Sequence, residues 1–179
     1  HKDFPTLEEI TAEKAYVESF GAVAKNTRYL PWVMEKLGKY EGCAIGHEAP
    51  EIVGKDTLGN ELKLSDLRGS FVLVDFWNSY CHWCREETPA LKRALEHFAG
   101  KNFKILGVSS DRVKKLWMDA IHEDGSYWDH LMLEKGDDVM DRYCIKGIPH
   151  IILVGPDGKI LAKELRGQDL IDVPDQFVK

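Results

Sequence analysis

The chemistry-bearing residues of this chain cluster in one stretch, DFWNSYCHWCREETP, residues 75–89. Cys81 and Cys84 stand two residues apart there, directly after an apolar run, with His82 and Trp83 between them. Two thiols at that spacing can bind a metal, staple a loop or exchange a disulfide. A structural zinc site wants four ligands, typically including a second such pair, and the other two cysteines, Cys43 and Cys144, do not make one. A staple gains little here, because the entropy removed from the unfolded chain grows with the loop closed and this loop is very small. The pair therefore reads as chemistry.

If Cys81 occupies the first turn of a helix, unpaired backbone N–H groups and the positive end of the helix dipole face its sulfur. Both favour the thiolate, the nucleophilic form. Cys84 lies about one turn on, on the same side and less exposed, which makes Cys81 the attacker and Cys84 the resolver. His82 and Arg85 offer positive charge that would lower the thiol pKa further, although His82 equally suits a solvated surface position. Asp75 stands inside the run FVLVDFW. A carboxylate buried there without a partner is costly, so its pKa should rise. Near neutrality it could accept the proton of Cys84 as that sulfur attacks a mixed disulfide. The alternative is an ordinary hydrated Asp at the strand's end.

Several elements must position these groups. FVLVDFW reads as a central strand covered on both faces, and CREETPALKRALEHFA as a helix bent near Pro89 and ended by Gly100. Upstream, Ile52-Val53 and Leu62-Lys63-Leu64 read as strands joined around Gly59-Asn60, and Ser65-Asp66 caps a helical turn stopping at Gly69. Downstream, FKILGVS, HLMLE, IPHIILVG and ILAKEL read as strands. DRVKKLWMDAIHED, DDVMDRYC and QDLIDVPDQFVK read as helices. The alternation followed by a hairpin predicts an α/β fold with a sheet of mixed direction. Residues 6–40 read as helical: Thr6 and Glu9 fit a capping box, Ile10, Val17, Phe20 and Val23 trace an apolar stripe, and Pro31 starts a second helix ending near Gly38.

At 179 residues the chain suits one well-filled domain plus an appendage, and its 44% apolar content, with five Trp, six Tyr and seven Phe, supplies a sizeable core. A net charge of −6 with interspersed signs lacks the basic footprint of a nucleic-acid binder. No apolar run is long enough to span a membrane. No signal peptide is visible, and a start at His1 reads as a mature or trimmed piece of a longer product. The charged residues before Cys43 in KYEGC argue against a lipidation site.

VDFWNSYCHWC resembles the signature of the thioredoxin superfamily. Together with APEIVGKDTLGNELKLSDLRG, CREETP and RYCIKGIPHIILVGPDGKIL, it resembles the TlpA/ResA-like thiol–disulfide oxidoreductases, with an AhpC/TSA-Redoxin-like domain. The likeness runs in order through residues 45–179 and leaves residues 1–44 outside, as a helical segment. It implies a thioredoxin-like fold: a mixed sheet flanked by helices, with an N-terminal hairpin. It also implies a redox-active Cys81–Cys84 disulfide as the only redox group, with no metal or added cofactor. Asp75 falls on the proton-transfer acid and Glu87 on the acidic residue such reductases keep beside their cysteines. Pro149 falls on the superfamily's cis-proline, and Ile148 before it offers backbone hydrogen bonds to an extended substrate. Tyr80 and Trp83 complete the substrate-facing wall, Tyr80 standing where Trp is usual. His150 stands where Thr is usual.

The resemblance further implies protein thiol and disulfide substrates, a membrane-bound redox partner protein, an extracytoplasmic bacterial location and net reduction. Three other readings compete, one of them an adhesion or scaffold role with a vestigial redox pair. A copper- or zinc-binding module would use Cys81, Cys84 and His150. A thiol peroxidase would need the Pro and Thr that WNSYC lacks. Cys144 reads as a buried small hydrophobe, and a bridge to Cys43 is conceivable in an oxidising compartment.

Overall fold

The structure, a computed structural model, describes residues 5–20, 27 and 29–179. FVLVDFW forms β3 (Phe71–Trp77), an interior strand of a seven-stranded mixed sheet. The others are β1 (Val53–Asp56), β2 (Glu61–Lys63), β4 (Phe103–Ser109), β5 (Asp129–Met132), β6 (His150–Val154) and β7 (Ile160–Ala162). Their order across the sheet is β2-β1-β5-β4-β3-β6-β7. β4 lies parallel to both β3 and β5, whereas the hairpin β1–β2 and the pair β6–β7 run antiparallel to their neighbours. This is the α/β sheet of mixed direction that the alternation of elements predicts.

Because side chains alternate along a strand, β3 feeds two cores. Val72, Val74 and Phe76 pack with Ile52, Leu106, Tyr143 and Ile152 on one face. Leu73 packs with Leu91, Ala94, Phe98 and Ile151 on the other, under helix α3 (His82–His97). Farther along that face, Trp77 packs with Cys84 and with Trp117 and Ile121 of α4 (Lys114–Asp124). In α3, buried Cys84, Thr88, Leu91 and Ala94 recur at helical spacing, which lays that face on the sheet. Pro89 lies inside the helix without ending it. Gly107 marks a close approach: a side chain there would meet the ring of His130 at 2.2 Å.

Two helices precede the sheet, α1 (Leu7–Ser19) and α2 (Tyr29–Glu41). Thr6 and Glu9 form the expected capping box, with Glu9 N–H donating to Thr6 Oγ1 at 3.2 Å and Thr6 N–H to Glu9 Oε2 at 2.7 Å. Of the expected stripe only Ile10 is fully buried, Phe20 is exposed, and Val23 lies outside the described residues. α2 begins before Pro31, which tolerates the first turn because those N–H groups have no helical partner anyway. It also runs past Gly38, whose carbonyl accepts the N–H of Gly42. Lys14 pairs with Glu41 across the two helices, and the N–H of Leu7 donates to the carbonyl of Ile45 at 2.9 Å. Among the described residues no helix is long and apolar enough to cross a membrane.

Other element ends differ from the sequence reading for local reasons. Asp66, not Ser65, caps the 3-10 turn Leu64–Leu67, accepting the N–H of Lys63 at 2.9 Å. β7 stops at Ala162, and Glu164 turns into the left-handed region at φ 53°. The terminal helix shrinks to one turn, α6 (Asp169–Asp172), followed by a 3-10 turn that begins at Pro174, which has no N–H to continue the ladder. The helix expected over DDVMDRYC is likewise a single turn, α5 (Val139–Arg142).

Candidate active site

Cys81 is the N-cap residue of α3, and its sulfur accepts the N–H of Cys84 at 3.1 Å. The two cysteines are joined by a disulfide, with Cys84 3% exposed and Cys81 half-buried. Opening that bond leaves the Cys81 sulfur on a backbone donor at the positive end of a sixteen-residue helix, where a thiolate is favoured. The preceding loop is held by buried Asp111, which the sequence reading missed. Its carboxylate accepts the N–H of Ser79 at 2.9 Å, the Ser79 hydroxyl at 2.6 Å and the Ser109 hydroxyl at 2.7 Å. These bonds tie the turn before Cys81 to the end of β4.

Arg85 does not serve the sulfur. Its guanidinium forks onto Asp124 at 2.6 and 2.8 Å and reaches Glu123 at 2.8 Å, so its charge is matched within α4. His82 is exposed and packs edge-on against Trp83, with ring centroids 5.2 Å apart. Tyr80 and Trp83 are each 72% exposed beside the disulfide, two aromatic rings left open on the rim.

Asp75 lies on the α3 face of β3, between Leu73 and Trp77, and is 5% exposed. Burial pushes its carboxyl up to about 7. Nearby Arg166 pulls against that rise and Glu87 adds to it. Its Oδ1 has no hydrogen-bond partner among the described residues. Glu87 Oε2 accepts the N–H of Gly167 at 3.0 Å. Arg166 donates to the carbonyl of Pro149, and to that of Leu165 at 2.7 Å. Arg166, a second residue missed from sequence, therefore links the buried acid to the proline loop.

The Ile148–Pro149 peptide bond is cis. Ile148 packs against the cluster containing Trp77 and Cys84, which brings this loop beside the redox pair. His150 goes the other way. It pairs with Phe76 across β3 and β6, and its ring lies 6.3 Å from that of Phe76, so alternation turns it to the opposite face of the sheet from Asp75. Burial there holds its imidazole down at about 4. The metal reading thereby loses its third ligand, and no three His, Cys, Asp or Glu side chains among the described residues are grouped to hold an ion.

Residues 45–163 match the AhpC/TSA family. The chain belongs to that family. Among AhpC/TSA relatives, the thiol–disulfide oxidoreductase ResA of Bacillus subtilis is 29% identical over 121 residues, covering 68% of this chain and 67% of ResA. The thioredoxin domain of a thiol–disulfide oxidoreductase from Bacteroides vulgatus is 52% identical, superimposes with a TM-score of 0.74, and covers 76% of this chain and 99% of that one. A thiol:disulfide interchange protein of the DsbE type from Chlorobium tepidum is 27% identical at a TM-score of 0.64, over 72% of this chain and 91% of that one. This AhpC/TSA-family chain is accordingly a thioredoxin-like thiol–disulfide oxidoreductase.

Proposed function

We propose that this protein reduces disulfides in protein substrates, with Cys81 as the exchanging sulfur and Cys84 as the resolving one. The observation that carries the reading is the Cys81 sulfur at the α3 N-cap, accepting the Cys84 N–H. The Cys81 thiolate attacks a substrate disulfide, forming a mixed disulfide and releasing one substrate thiol. Cys84 then gives its proton to Asp75 and attacks Cys81 Sγ, which frees the second substrate thiol and leaves the Cys81–Cys84 disulfide. Glu87 and Arg166 set the proton affinity of Asp75 from opposite directions. Tyr80, Trp83 and the backbone of Ile148 before Pro149 form the surface on which an extended substrate segment lies, and His82 tunes the rim.

Net reduction is supported by the charges around the pair. A strong oxidant stabilises its reduced, thiolate form, whereas here two carboxyl groups, Asp75 and Glu87, lie at the site and Arg85 is spent on α4. Likeness to ResA and DsbE-type proteins supports an extracytoplasmic site of action and a protein redox partner at the membrane, and the start of the family match at residue 45 supports residues 1–44 as a segment outside the domain. A Cys84→Ser variant should accumulate substrate proteins as mixed disulfides on Cys81, and the native pair should show a potential near or below about −220 mV. Trapping on Cys81→Ser instead would reverse the roles of the two sulfurs, and a potential near about −120 mV would reverse the direction.

A further inference from the structure

The other two cysteines meet at the junction between the N-terminal helices and the domain, outside the machinery described above. Cys43 follows α2 and is buried, and its thiol donates to the carbonyl of Tyr40 at 3.6 Å. Cys144 follows α5 and is half-buried, and its thiol donates to the carbonyl of Lys39 at 3.4 Å. Those carbonyls are neighbours in the last turn of α2, and the Cys43 thiol lies close enough to Cys144 to raise its proton affinity. Two sulfurs about a hundred residues apart in sequence thus share one place.

The backbone points the same way. Cys144 has φ 56°, a left-handed conformation just past a helix end where glycine is the favoured residue. A side chain that disfavours that conformation stands there, and its sulfur sits on the carbonyl next to the one that holds Cys43. We propose that Cys43 and Cys144 are a second redox pair, whose disulfide fastens the N-terminal helices to the loop that leads into Ile148 and Pro149.

Oxidation enters from the Cys144 side. A cleft of about 290 Å³ opens onto it, lined by Lys36, Lys39, Tyr40, Asp141 and Lys146. The oxidant is a disulfide, small or protein-borne. Cys144, once deprotonated, attacks one of its sulfurs and releases the first thiol, and Cys43 then loses its proton and attacks Cys144 Sγ, releasing the second. Two thiols of this chain are oxidised and one external disulfide is reduced. Burial and the neighbouring thiol hold Cys144 up at about 12, against the pull of Lys146 and Lys163. At neutral pH the bridge should therefore form slowly, and alkylating reagents should label Cys144 slowly as well. None of this uses the Cys81–Cys84 exchange.

The test uses the full chain as Cys81→Ser/Cys84→Ser, incubated with excess oxidised glutathione, denatured, alkylated and mapped by mass spectrometry. A peptide cross-linked through Cys43 and Cys144, lighter by two hydrogen masses, is expected. Thermal unfolding should rise by roughly 5–15 °C on oxidation, because the bridge closes a long loop, and Cys43→Ser in the same background should abolish that rise. Should the double variant fold poorly, the native chain serves, since Cys81 and Cys84 bridge within a single short segment. Free alkylation of both cysteines, or glutathione adducts without the cross-link, under conditions that fully oxidise Cys81–Cys84 in the native chain, would overturn the proposal.

Discussion

Replacing Asp75 with Asn tests the electrostatics at the base of the site. In the folded protein the Asp75 carboxyl titrates near about 7 rather than at the ordinary 3.8, chiefly because it is buried. The unfolded chain releases this proton at lower pH than the folded one. Between the two values the folded state therefore holds the extra proton, and stability falls as pH rises. Each tenfold in proton affinity is worth about 1.4 kcal/mol, so the full penalty approaches about 4 kcal/mol above pH ~7, with about 3 kcal/mol of it accruing between pH ~5 and pH ~8. Asn keeps the shape and carries no charge. Urea unfolding of the oxidised protein should show Asp75→Asn gaining about 3 kcal/mol on the native chain between those two pH values. The same variant should resolve mixed disulfides at least about a hundredfold more slowly, having lost the proton acceptor. A native–variant difference that stays constant with pH would refute the claim that burial raises the proton affinity of this carboxyl.

Arg166→Met removes the cation that opposes the rise at Asp75. The pH midpoint of mixed-disulfide resolution should move up by roughly half to one unit, whereas Arg166→Lys should leave it in place; an unmoved midpoint in the Met variant would separate Arg166 from the acid. His130 is buried, donates through Nε2 to the Ser126 carbonyl at 2.8 Å, and is held down to about 4 by desolvation. Its unfolded form binds the proton first, so it drains about 3 kcal/mol of stability as pH falls from ~6.5 through ~4. Denaturation curves of native protein and His130→Gln at the two ends of that window should diverge by about this amount, and parallel curves would contradict it.

What depends on a few neighbouring residues was legible along the chain. The apolar run FVLVDFW marked a covered strand and put Asp75 on it, the C-x-x-C spacing put one sulfur at a helix start with the other a turn behind, and Thr6 with Glu9 announced a cap. The face of His150 was readable only once β6 was registered against β3, because a period of two says that side chains alternate and not which way the first one points. Asp111, Arg166 and the contact between Glu87 and Gly167 left no local signal. Asp111 reaches Ser79 across 32 residues, Glu87 reaches Gly167 across 80 and Arg166 reaches Pro149 across 17, and loops carry no periodicity that reports where they return.

The sequence by itself determined the redox pair and the strand and helix that carry it, since helix-end electrostatics and strand periodicity act over a single turn or pleat. Only the tertiary structure decided that Arg85 turns to α4, that Arg166 acts on the buried acid and that Cys43 and Cys144 meet at the end of α2. Those outcomes depend on which distant surfaces pack together, and that is settled by burying the whole core at once.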